Sequence, residues 1–138
     1  MSIDQVGPAA RVERSHDDPD ALLAQRPLYQ VKADFFKGLA HPLRIRVLEL
    51  LSSAEERTVA ELLDETSLEP SHLSQHLAVL RRHRLVASER RGSLVYYRLV
   101  HRETAQLLVI ARALLLRIAD DERALHAAAR ALPALEVS

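Results

Sequence analysis

Between Pro70 and Leu99 the chain changes its hydrophobic period, and that change restricts the fold more than any other feature of the sequence. From Pro70 to about His83, Leu73, Leu77 and Leu80 recur at helical spacing, with Pro70 suited to a first helical turn. Leu85 to Arg90 and Leu94 to Leu99 are extended runs joined through Arg91-Gly92-Ser93. Val86, Val95, Tyr96 and Tyr97 support strands, so the pair reads as a β-hairpin. A short helix followed at once by a two-stranded ribbon leaves few architectures open.

The flanking segments narrow them further. Leu28, Val31, Phe35 and Leu39 form one helical stripe, flanked by Tyr29 and Phe36, until His41-Pro42 interrupts it. Pro42 opens a second helix through Ile45, Val47, Leu48, Leu50 and Leu51, and Ser52 to Arg57 is a polar connector. Thr58 and Glu61 are placed as a capping box for a short helix over Val59 to Glu65, with a turn at Thr66 to Glu69. After the hairpin a long helix runs from Arg102 to about Arg130, with a break read near Asp120-Asp121 and an end at Pro133. The order α-α-α-α-β-β-α describes a mainly α fold with a small β-hairpin, a winged helix-turn-helix. Residues 1–26 show no sustained period and read as a flexible N-terminal arm; 27–131 form the winged helix-turn-helix domain; 132–138 are a C-terminal tail.

Composition excludes several functions. A chain of 138 residues, 48% apolar, has room for one domain and one core. With no cysteine, disulfides, zinc-thiolate sites and thiol switches are ruled out. No stretch approaches the roughly 20 apolar residues of a membrane span, and no secretion signal opens the chain. A cytoplasmic protein without membrane attachment is expected. The 19 basic and 19 acidic residues cancel, so a nucleic-acid binder must segregate its charge. It does: Arg81, Arg82, Arg84, Arg90, Arg91 and Arg98 face one acid, Glu89, between Pro70 and Leu99.

On a helical wheel Leu73, Leu77, Leu80 and Arg84 share one side of the Pro70 helix. Ser71, Gln75, Ala78 and Arg82 occupy the other, with Ser74 and Val79 on its shoulders, His72 exposed but off centre, and His76 between the faces. Small hydroxyls, an amide and an arginine suit base edges and phosphates, and Gln pairs with adenine in two-point fashion. Arg90, Arg91 and Ser93 lie at the hairpin tip, where a wing meets phosphate or the minor groove. The plainer reading, a solvated face of an amphipathic helix beside a charged turn, stays open on the wheel alone.

The last helix raises a different question. From Leu107 to Ile118 it is apolar almost all round, interrupted only by Arg112 and Arg117. Leu107, Ile110, Ala111, Leu114 and Ile118 form one face, broadened by Leu108 and Leu115, with Val109 and Leu116 opposite. Such a helix needs two burial partners: its own core and, in a chain this short, a second subunit.

Three stretches together resemble the ArsR/SmtB family of winged-helix repressors: Phe36 to Leu48, Leu73 to Arg81, and Leu85 to Leu99 with its Arg91-Gly92-Ser93 turn and Val95-Tyr96-Tyr97-Arg98-Leu99 end. The likeness covers about residues 28–118. It implies a sequence-specific transcriptional regulator, a repressor that binds a palindromic double-stranded DNA operator as a homodimer. Its first and last helices would form the dimer, adding Leu28, Val31 and Phe35 to Leu107, Ala111, Leu114 and Ile118.

Many relatives in that family respond to metals, and the residues here do not favour it. The cysteine-based site has no cysteine. The site on the last helix is reduced to His101 and Glu103, with Leu114 and Arg117 at the later ligand positions, and a hydrocarbon and a cation do not hold zinc or nickel. His16, His41, His72, His76, His83, His101 and His126 form no ligand set by spacing. No metal or cofactor is expected, and the sequence does not identify an inducer. No phosphate loop, activated nucleophile or paired carboxylates suggest an enzyme. The competing reading is a winged helix used only for protein contacts.

Overall fold

The structure, a computed structural model, describes residues 26–131. Most of the expected arm, all of the expected tail and Pro133 lie outside the described residues. The chain divides into two compact units with the boundary between Pro42 and Leu43, at the His41-Pro42 break in the helical pattern.

In the first unit, Pro27 leads into α1 (Leu28–Leu39), its carbonyl accepting from the N–H groups of Gln30 and Val31. The Arg26 guanidinium pairs with Asp34 at 2.5 Å. Phe35 and Phe36 meet edge to face with centroids 5.4 Å apart. Val31 and Phe35 are half-buried, while Leu28, Tyr29 and Phe36 are exposed.

Helix α2 (Pro42–Ser52) belongs to the second unit from Leu43 onward and buries Val47, Leu48, Leu50 and Leu51. Side chains also reach the carbonyls near its end: Arg57 Nε donates to Leu50 O at 2.8 Å, and Ser52 Oγ to Leu48 O at 2.7 Å. Then follow β1 (Arg57–Thr58), α3 (Val59–Thr66), α4 (Pro70–Arg82), β2 (Val86–Arg91), β3 (Leu94–Leu99) and α5 (Glu103–Ala131). The capping box forms as expected: Glu61 N–H donates to Thr58 Oγ1 at 3.1 Å, and Thr58 N–H to Glu61 Oε1 at 2.7 Å. Val47, Leu48, Leu51, Leu62, Leu73, Leu80 and Val86 are fully buried and form the centre of the core. Each such side chain stabilises the fold by roughly 1.5–3 kcal/mol.

Four details differ from the sequence reading. The polar connector ends in a short strand, β1, so the wing is a three-stranded antiparallel sheet of order β1-β3-β2. Helix α4 stops at Arg82, and Arg84, placed by the wheel with the inward leucines, is exposed with φ +61°. There Arg84 N–H donates to Arg81 O and Leu85 N–H to Leu80 O, which caps the helix and returns Leu85 to the core. Arg91 belongs to β2, opposite Leu94, so the turn is only Gly92-Ser93. Helix α5 runs unbroken through Asp120-Asp121 for 29 residues, about 43 Å at 1.5 Å per residue.

Candidate nucleic-acid interface

Helices α3 and α4 make the helix-turn-helix. Thr66 Oγ1 donates to Leu62 O, and Ser67 ends α3 in the left-handed region at φ 57°, its N–H on Leu63 O. Glu69 then leads into Pro70 at the first turn of α4. The position of α4 is set by what it buries: Leu73, Leu77 and Leu80 all face the core. Its outward side carries Ser71, His72, Ser74, Gln75 and Arg82, all exposed. Ala78 and Val79 are half-buried and contribute less surface than the wheel suggests. A tie to the sheet fixes the helix further, since Arg81 Nη1 donates to Tyr97 Oη at 3.2 Å.

The wing is organised by strand alternation. Val86 and Tyr97 are buried, and their face of the sheet, shared by Ser88, Arg90, Val95 and Leu99, is the one that packs on the core. Arg90 therefore projects on the same side of the sheet as α4. Its guanidinium has no ion pair among the described residues. The turn has φ +62° at Gly92, the first central residue, as a type II′ hairpin requires. A Cβ at Gly92 would meet nothing within 4 Å, so backbone conformation rather than crowding selects glycine. Ser93, the second turn residue, is exposed.

Arg91 occupies the opposite face and is already engaged. Its Nη1 and Nη2 bind Glu56 Oε1 and Oε2 at 2.9 and 2.5 Å, and Nη2 also meets Glu89 Oε1 at 3.0 Å. Its guanidinium carbon stands 4.2 Å from the Tyr96 ring centroid. These contacts hold both carboxyls below the ordinary carboxylate value, chiefly through the hydrogen bonds from Arg91, and push the guanidinium further up. Nothing in the sequence points to Glu56, which lies 35 residues away and beside a strand of two residues. The Glu89-x-Arg91 spacing is the only available signal, since it places both side chains on one face.

The residues expected at a dimer contact remain partly or largely open. Leu107 is half-buried, and Ala111, Leu114 and Ile118 are exposed; only Thr104 of α5 is buried. His101 and Glu103 sit exposed at the start of α5, and no group of three or more potential metal ligands occurs among the described residues. No described helix is long and apolar enough to cross a membrane.

Comparison with known proteins agrees with this geometry. Residues 41–88 match the family described as bacterial regulatory protein, arsR family. The HTH-type transcriptional regulator Rv0081 of Mycobacterium tuberculosis is 48% identical over 100 residues, which span 72% of this chain and 87% of that protein. The crystal structure of Rv0081 superposes with a TM-score of 0.65 at 49% identity, covering 70% of this chain and 97% of that one. The transcriptional repressor SmtB homolog of Synechocystis is 36% identical over 78 residues, 56% of this chain and 58% of that protein.

Proposed function

The chain belongs to the arsR family of bacterial regulatory proteins, a family of winged-helix transcriptional regulators and not of enzymes, and we propose that it is a repressor binding a palindromic operator as a homodimer. The carrying observation is the outward face of α4, where Ser71, Ser74 and Gln75 stand exposed over three buried leucines. Two such helices, related by a two-fold axis, enter successive major grooves about one helical turn apart. Gln75 with Ser71 and Ser74 discriminates bases, while His72, Arg82, Arg90 and Ser93 contact the backbone. In the proposed dimer, Leu107, Ala111, Leu114 and Ile118 of α5 meet the partner subunit, and so do Leu28, Val31 and Phe35 of α1. Repression follows by occlusion of the promoter, in keeping with the named repressor among its relatives.

In vitro selection from a random duplex pool tests this reading, followed by anisotropy titration of the enriched sequence over a range of salt. The expected result is an inverted repeat bound by two protomers, with affinity falling as salt rises. Gln75→Ala should cost about 1–3 kcal/mol per half-site and relax preference at one base pair. No enriched sequence, or Gln75→Ala binding with unchanged affinity and preference, would return the chain to a protein-contact module.

A further inference from the structure

Adjacent arginines on a wing are expected to act alike, and here the fold separates them. The strand register sends Arg90 to the α4 side of the sheet and Arg91 to the other, where Glu56, Glu89 and Tyr96 take it up. Burial fades along the ribbon: Val86 and Leu99 at its base are buried, but the residues of β2 from Ser88 outward are exposed. An isolated two-stranded ribbon is marginal in water. The distal half thus lacks an apolar anchor of its own. Arg91 supplies a polar one, crossing the Tyr96 ring to reach a carboxylate next to β1. A bidentate arginine–carboxylate pair joined to a second acid is the geometry in which an exposed ion pair is worth most.

We infer that Arg91 is a positioning residue, which ties the wing to the connector before β1 through Glu56, and that Arg90 carries the wing's phosphate contact. The inference rests on the DNA-binding reading above. It opposes the simple electrostatic expectation. If Arg91 reached for phosphate, Glu56 would be its competitor, and removing that acid would tighten binding. If Arg91 positions the wing, removing the same acid weakens binding.

The test uses the selected duplex and the full chain, with Glu55→Gln as a control for removal of one neighbouring negative charge. Glu55 is exposed and makes no ion pair among the described residues. Relative to that control, Glu56→Gln should weaken binding about three- to fivefold, the range open to an exposed pair, with the salt slope unchanged. Arg91→Lys should behave like Arg91→Ala, because an ammonium cannot span two carboxylate oxygens. Arg90→Ala should lower the salt slope by about one unit for each phosphate that Arg90 neutralises. Amide exchange should quicken over residues 89–95 in Glu56→Gln and not in α3. Tighter or unchanged binding by Glu56→Gln, or wild-type behaviour of Arg91→Lys with a lowered slope in Arg91→Ala, overturns the inference and leaves the functional reading intact. Failure of the unsubstituted protein to bind any duplex overturns both.

Discussion

Helices α4 and α5 are built from similar apolar residues and treat them in opposite ways. In α4 the leucines keep to one stripe, and Leu73, Leu77 and Leu80 are all buried. In α5, Val109, Ile110, Leu114, Leu115, Leu116 and Ile118 stay between 44% and 67% exposed. A one-sided stripe can be covered by the protomer's own core, and this leaves the other side of α4 free for polar chemistry. A helix that is apolar on nearly every side cannot be covered that way. Exposed apolar patches of this extent are where interaction surfaces are sought, so the contrast separates a part of the molecule that its own core covers from one that the homodimer proposed above would cover.

Substitutions on the two sides should differ in kind. Leu62→Ala, in α3 and fully buried, should lose about 2–5 kcal/mol of stability by chemical denaturation. Leu114→Asp, on exposed α5, should leave the circular dichroism of the α2–β3 core in place while light scattering at micromolar concentration shows half the wild-type mass. A monomeric wild type would end the contrast. In the part that its own core covers, Thr58→Ala removes half of the capping box and should cost about 1 kcal/mol in the same denaturation assay. Arg84→Gly relieves a left-handed residue and should gain about 0.5 kcal/mol, after allowance for the greater freedom of glycine in the unfolded chain.

The smallest effect is that of pH on the wing. Arg91 lowers the Glu56 carboxyl below its ordinary value of 4.5, so its stabilising contribution is complete above that pH and is lost as pH falls through the lowered value. The stability difference between wild type and Glu56→Gln should therefore be constant from neutral pH down to about 5 and vanish in stronger acid. A difference that grows toward acid would contradict the ion pair.

The parts of this molecule legible in its sequence are those that repeat. Three leucines at helical spacing locate the core side of α4, and Thr58 with Glu61 announces a helix start that forms as expected. The rest depends on contacts between distant residues. Arg57 and Thr58 become a strand only because Tyr96 and Tyr97 lie beside them, and two residues are too few to show a period. Arg84 continues the wheel of α4 on paper, but the cap that returns Leu85 to the core turns it outward. Arg91 reads as a turn residue because its strand partner, Leu94, is set by register rather than composition. The exposure of Ser71, His72, Ser74, Gln75, Arg82, Arg90 and Ser93 is legible without a structure, since each follows from local spacing alone.

The order β1-β3-β2 also governs how copies of this chain can meet. A sheet edge with unpaired backbone groups invites further strands, and the outcome is open-ended growth. Here one edge is a strand of two residues, and the other, β2, ends in Glu89, Arg90 and Arg91. Neither offers a long, flat, apolar template. In the homodimer proposed above, self-association is thereby left to helices, where a two-fold contact would cover both copies at once and then stop. Despite the bare flank of α5, raising the concentration should fill one closed assembly and not seed fibres.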